Sequence, residues 1–167
     1  MINTRRFVER FLQKYRFKMV KDYLEGDVLD FGGNEGELKR FVNGKYLAVN
    51  YDHSVMVGKK FDTVVALAVI EHIPVPEVFD IFKKFNRATL KEGGKIFLTT
   101  PTRIAKPILE FMAWANIVDK ENIKEHKHYW SKREIYRLAK ESGFRVERYR
   151  KFQYGVNQLA VFSRKTN

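Results

Sequence analysis

Asp30 closes a short apolar run and is followed by Gly32, Gly33 and Gly36, with Asn34 among them, in the stretch DFGGNEG. Glycine permits positive φ and lets a ligand approach the backbone, and free N–H groups at a following helix start point outward. The chemistry that such a bend serves is the binding of a polar or anionic group, although tight packing alone also asks for glycine. The spacing departs from the G-x-G-x-x-G of a dinucleotide site, so a nicotinamide dehydrogenase fits poorly.

Glu71 and His72 place a carboxylate beside an imidazole, just past the most apolar segment of the chain. An imidazole near its ordinary pKa can take a proton from a hydroxyl, which makes His72 a candidate general base with Glu71 next to it. The other reading of EHIP is a structural turn with His72 bonded to backbone. EHKHYW supplies a third group, His126 and His128 with Tyr129 and Trp130. No further clustered ligands accompany these histidines, so no metal is expected, and they would line an acceptor pocket or anchor their segment. Phe111, Trp114, Tyr129 and Trp130 suit an apolar acceptor, or simply a core.

The elements that must position these residues follow from periodicity. Phe7, Phe11, Tyr15, Met19 and Tyr23 recur at every fourth position, predicting a helix from Thr4 to Leu24 whose other face is basic. That helix reads as packed on the domain, or as a membrane-surface helix or a lid over a substrate. Strands are predicted at 27–31, 46–50, 61–68 and 95–100, and helices at 35–42, 76–90 and 107–118. Ser131 and Glu134 form a capping box for a helix ending at Gly143, and strands at 144–150 and 157–162 make a hairpin. Alternating strands and helices give an α/β three-layer domain with a mostly parallel sheet. One domain, 1–167, is expected: an N-terminal amphipathic helix (1–25), a core (27–100), an insertion (101–130), and a C-terminal helix and hairpin (131–167).

Composition narrows the setting. With 44% hydrophobic residues the chain can build a core, and it contains no cysteine. Absence of a signal-peptide core and of disulfides makes a cytoplasmic protein the expectation, and no apolar run is long enough to span a bilayer. The net charge of +12 favours anionic partners such as nucleic acid, a membrane surface or an acidic small molecule, and also serves solubility.

VLDFGGNEG (28–36), FDTVVALAVIEHIPVPE (61–77), LKEGGKIFLTTP (90–101) and SKREIYRLAKESGFRVERYR (131–150) stand in an order that resembles the class I S-adenosylmethionine-dependent methyltransferases. Within that family, the resemblance is to the type 11, ubiquinone-pathway O-methyltransferase-like branch, and it covers Asp27 to Phe162. It implies a Rossmann-like fold and S-adenosyl-L-methionine as cofactor. Asp30, Gly32, Gly33, Asn34 and Gly36 would then frame the methionine part, with backbone around Leu67 and Ala68 closing over it. Asn34 stands where the family has its middle glycine. Asn50 aligns with the acid that grips the ribose hydroxyls, and Asp52, two residues on, could share that role.

Only eight residues, His53 to Lys60, separate Asp52 from the next strand. Eight extended residues reach roughly 26–29 Å, too little for a helical crossover. The family's third strand is therefore expected to be missing, which leaves about six strands, an open adenine side and an exposed edge at Tyr46 to Asn50 where a homodimer could pair. The function expected is O-methylation of a small-molecule or lipid-linked acceptor. The rivals are a non-catalytic scaffold binding a protein or RNA partner, and a nucleic-acid methyltransferase.

Overall fold

The structure, a computed structural model, describes residues 4–33, 36–50 and 58–165. Two of the candidate site residues, Asn34 and Asp52, lie outside the described residues. Six strands form one sheet: β1 (Val28–Phe31), β2 (Tyr46–Val49), β3 (Phe61–Leu67), β4 (Leu90–Pro101), β5 (Phe144–Phe152) and β6 (Asn157–Arg164). Their order is β2-β1-β3-β4-β6-β5. The first four run parallel, β6 pairs antiparallel with β4, and β5 pairs antiparallel with β6. This is the mostly parallel Rossmann-like sheet with a C-terminal hairpin that the sequence predicts. Among the described residues no strand flanks β2 on its outer side.

Burial follows from composition. The run FDTVVAL makes β3 a central strand covered on both faces, as near-continuous apolar runs in parallel sheets are. One face of the sheet, with Leu29, Val64, Ile96 and Phe162, packs against α2 (Val75–Lys84) and α5 (Lys132–Glu141) through Val78, Phe82, Ile135 and Leu138. The opposite face, with Val28, Val65, Phe97 and Val161, receives Phe17, Val20 and Leu24 from α1 (Thr4–Val20) and the turn beyond it. The capping box of α5 is formed as expected, with the Ser131 backbone N–H donating to Glu134 at 2.7 Å.

Several local expectations are corrected. Of the expected row, Phe11 on α1 and Tyr23 in the 3₁₀ turn beyond it are exposed, Tyr15 and Met19 pack against the core, and the buried positions of α1 are Phe17 and Val20. A strict four-residue spacing drifts about 40° round a helix at each step, so such a row cannot stay on one face. The helix expected at 35–42 is a 3₁₀ turn, Glu37–Phe41, after Gly36 in the left-handed region at φ +64°. Five residues favour the tighter i→i+3 bonding, seen from Lys39 N to Gly36 O at 3.0 Å. The strand expected at 95–100 is longer, Leu90–Pro101, with a bulge at 91–94 where Leu90 pairs with Phe61 and Lys95 with Thr63. Lys91 in that bulge holds Asp62 at 2.8 Å and Asp27 at 3.2 Å. The insertion contains two helices, α3 (Ala105–Trp114) and α4 (Lys120–Lys124).

Candidate active site

A cavity of about 610 Å³ opens at the C-terminal ends of β1, β3 and β4, where α/β sheets place their ligands. It gathers Asp30, Gly32, Gly33, Gly36, Leu67, Ala68, Glu71 and His72, and α1 closes its far side with Arg10, Gln13 and Arg16. Asn50 is exposed just past β2 and is not among the described residues that line the cavity.

The glycine turn is fixed by its neighbours. Gly32 N donates to Val49 O at 2.7 Å, with φ at +86°, and a Cβ on Gly32 would lie 2.2 Å from the Val69 side chain. A Cβ on Gly33 would lie 2.3 Å from a carboxylate oxygen of Asp30, so a bare backbone here is what lets Asp30 sit under the turn. Asp30 is 5% exposed and accepts a hydrogen bond from the Tyr46 hydroxyl at 2.5 Å. Burial pushes the Asp30 carboxyl up, and the Tyr46 bond offsets part of that rise. Across the cavity, Ala68 just past β3 takes φ +54° and donates its N–H to Thr99 O at 2.9 Å.

Beyond Ala68 a 3₁₀ turn, Ile70–His72, aims a carboxylate and an imidazole inward. Glu71 is 1% exposed and accepts from the Thr100 hydroxyl at 3.1 Å. Its burial raises the carboxyl to about 7, with Arg16 and Thr100 pulling the other way. The Glu71 carbonyl accepts the N–H groups of Lys127 at 2.7 Å and His128 at 3.2 Å, which draws the EHKHYW segment over the turn. His126 thereby comes edge-on to His72, ring centroids 4.7 Å apart, and joins the cavity wall. Desolvation lowers both imidazoles, and for His126, with His72 adding to it, the value falls to about 4.

The two roles weighed for the histidines of the insertion are thus divided between them. His126 lines the cavity. His128 bonds Glu134 at 3.0 Å and stands edge-on to Trp130, which is fully buried and donates to Ile70 O, so these two anchor the segment. Phe111 and Trp114 are neither core nor cavity wall: they are 62% and 75% exposed on α3. Sequence reasoning missed Arg16, Tyr46 and the meeting of His126 with Glu71. Arg16 was one cation among many on α1, and the other two depend on contacts between distant segments.

The cavity suits a ligand carrying both an ammonium and a carboxylate. Its volume is that of a small-molecule site, Asp30 offers a buried carboxylate, and Arg10 and Arg16 offer cations. A match to the family described as a methyltransferase domain spans residues 3–149. The chain belongs to that methyltransferase-domain family. Among solved structures it is similar to CalO1, a methyltransferase in calicheamicin biosynthesis in its SAH-bound form, at 13% identity and TM-score 0.68 over 94% of this chain and 55% of that one. It is also similar to the pyocyanin biosynthetic protein PhzM, at 16% identity and TM-score 0.67, over 94% of this chain and 58% of that one. A SAM-dependent methyltransferase from Bacteroides fragilis, in complex with S-adenosyl-L-homocysteine, matches at 13% identity and TM-score 0.65, over 90% of this chain and 77% of that one. At such identities the likeness is one of fold, and the methyltransferase-domain chain spans between half and three fifths of the first two proteins. No curated protein sequence matches it.

Proposed function

We propose that this chain is an S-adenosylmethionine-dependent methyltransferase acting on an oxygen of a small-molecule or lipid-linked acceptor. One observation carries the reading: a single cavity joins the glycine turn and Asp30 to Glu71, His72 and His126. When bound, S-adenosylmethionine supplies a methyl group on a sulfonium, ready for in-line displacement. Asp30 takes the cofactor's ammonium, and the bare backbone at Gly32 and Gly33 admits its methionine part. Leu67 and Ala68 border it from the end of β3, and Asn50 and Asp52 remain the candidates for the ribose hydroxyls. The chain's own contribution is orientation, exclusion of water and removal of the acceptor's proton. His72, with Glu71 beside it, takes that proton. No helix among the described residues is long and apolar enough to cross a membrane. An apolar acceptor tail is accommodated outside the cavity, along the exposed Ile104 that caps α3 and Ile108, Phe111 and Trp114 on it.

The test is thermal unfolding with and without S-adenosylmethionine and S-adenosylhomocysteine, backed by calorimetric titration. A ligand at about 100 times its dissociation constant stabilises the fold by roughly 2.7 kcal/mol. Absence of any shift or heat at millimolar ligand would overturn the proposal.

A further inference from the structure

We propose that the end of the molecule around the cavity docks on an anionic lipid surface, with the apolar stripe of α3 entering the interfacial layer. Ile104, which caps α3, and Ile108, Phe111 and Trp114 on it are all exposed. At about 100° per residue they share roughly a third of the helix circumference. Leu109 falls on the opposite side and lines the cavity, so α3 is a wall with the cavity behind it and an apolar face in front.

The apolar surface continues beyond α3. Thr102, two residues before Ile104, donates its hydroxyl to Gly155 O at 2.7 Å and its N–H to Val156 O at 2.8 Å, which brings the β5–β6 turn alongside. Tyr154 stands fully exposed on that turn. On α1 the exposed Phe11 leans on Tyr15, and Tyr15 stacks on Phe152 at the foot of the same turn, ring centroids 5.7 Å apart. Elsewhere among the described residues the exposed large side chains have polar or ring partners: Arg148 donates to the Tyr23 hydroxyl at 2.7 Å, and Tyr136 meets Tyr149 at 6.0 Å.

Shape and charge say what covers this surface. Phe11, Ile104, Ile108, Phe111, Trp114 and Tyr154 line neither cavity; they protrude from two helices and a turn, which suits a fluid layer better than a shaped partner. Lys14, on the same face of α1 as Phe11, and Lys151, beside the Tyr154 turn, are exposed and take part in none of the ion pairs of the described residues. Cations next to exposed Trp, Phe and aliphatic side chains are the composition of interfacial helices, whose lysines reach headgroup level while their stems cover apolar surface. The net charge of +12 adds long-range attraction to an anionic bilayer. Glu110, at the margin of the stripe, is the one acid of α3, so α1 and the turn carry the attraction and α3 the insertion.

This inference deepens the oxygen-methylation reading and rests on it for what docking serves: a lipid-linked acceptor lies in the layer that the stripe enters. Docking itself is measured without it. The protein would be sedimented with vesicles of phosphatidylcholine and phosphatidylglycerol, and with vesicles of phosphatidylcholine alone, while tryptophan emission is followed. Of the two tryptophans Trp130 is fully buried and Trp114 exposed, so a blue shift reports the stripe. The expected result is binding to the anionic vesicles with a blue shift, weakening as salt shortens the Debye length from about 10 Å at 0.1 M to about 3 Å at 1 M. Phe111→Ser with Trp114→Ser should weaken sedimentation by at least about 10-fold. Lys14→Ala with Lys151→Ala should weaken it by roughly 25-fold, about fivefold for each cation. Circular dichroism checks that the variants fold. No binding to the anionic vesicles, equal binding to phosphatidylcholine alone, or binding that survives the serine pair would overturn the proposal. So would a blue shift that grows with protein concentration in the absence of vesicles, which assigns the stripe to a second copy. Single-stranded RNA bound by the parent and lost in the serine pair would overturn it too, in favour of nucleic acid. S-adenosylhomocysteine binding, measured separately, keeps the two readings apart: docking without cofactor refutes only the methyltransferase, and cofactor without docking refutes only the lipid surface.

Discussion

The Tyr46 hydroxyl, on the edge strand β2, donates to the Asp30 carboxylate of β1 at 2.5 Å. The bond ties the outermost parallel strand to the one acid beneath the glycine turn. It also offsets part of the burial that pushes the Asp30 pKa up. Tyr46→Phe leaves the ring in place and removes only the hydroxyl. The cost of leaving the carboxylate short of one partner is about 1–3 kcal/mol, so affinity for S-adenosylhomocysteine should fall several-fold or more. Calorimetry against the parent would show it, and unchanged affinity would separate Asp30 from the cofactor.

Gly33→Ala tests the same carboxylate from the other side. Its methyl would meet the Asp30 carboxylate, which is itself 5% exposed and tied to the Tyr46 hydroxyl. We expect loss of cofactor binding out of proportion to a destabilisation of about 1–3 kcal/mol. Parallel measurement of Tm and dissociation constant distinguishes this from general unfolding.

Ala68 sits in the left-handed region without being glycine. That conformation costs an L-residue about 1–2 kcal/mol, while glycine pays about 0.5–1 kcal/mol in chain entropy. Ala68→Gly should therefore be neutral to slightly stabilising. Ala68→Val, β-branched and facing the cavity, should lower both Tm and cofactor affinity. Equal behaviour of the two variants would contradict the assigned backbone.

Glu134 gives the fold an acid-sensitive contact. Burial alone would raise its carboxyl, but bonds from the Ser131 hydroxyl and backbone, with His128 nearby, reverse this and bring it to about 2. An unfolded glutamate titrates near about 4.3, so the capping box contributes fully above that value and its contribution is lost as pH falls through about 2. The Tm difference between the parent and Glu134→Gln should accordingly shrink between about pH 5 and about pH 2. A difference constant over that range would mean that the ionised form is not what the cap uses.

The stripe on α3 makes a prediction of the opposite kind. Phe111→Ser and Trp114→Ser remove side chains that are mostly in solvent, so Tm should stay within the roughly 0.5 kcal/mol typical of surface changes. If the stripe accommodates an acceptor's tail, the double variant should lose activity on long-chain acceptors and keep it on short ones. Equal loss on both would remove the stripe from acceptor binding.

How far the molecule was legible in its sequence can be read from these residues. The strands stood out because parallel, doubly covered strands need unbroken apolar runs such as TVVALAV, and the glycine turn because few residue types tolerate it. The eight-residue connection before β3 was enough to predict a narrow sheet. Tyr46 gave no such signal, since its partner is set by the pairing of Asp30 with Ala48, a matter of strand register. His126 was named as a pocket candidate, but its meeting with Glu71 was invisible for a different reason: backbone N–H groups at 127 and 128 carry it there, and backbone bonds leave no mark on residue type. On α1 the pattern named the helix and part of its inner face, Tyr15 and Met19 packing against the core, but missed Phe17, because the sheet beneath decides which part of a broad apolar face is used.

The position of β6 bears on how the chain folds. It follows β5 in sequence yet lies between β4 and β5, and its pairing of Ser163 with Lys95 joins segments far apart along the chain. The β5–β6 ribbon can close locally, but β4 waits for it with Ile96, Phe97 and Leu98 along an unpaired edge. Late docking of a preformed ribbon onto that edge is the step expected to limit the rate, because distant pairings pay loop-closure entropy before any contact rewards them. An exposed apolar edge is also where chains stick to one another. Refolding yield should therefore fall with protein concentration, and amides of β4 should gain protection from hydrogen exchange later than those of the β5–β6 ribbon.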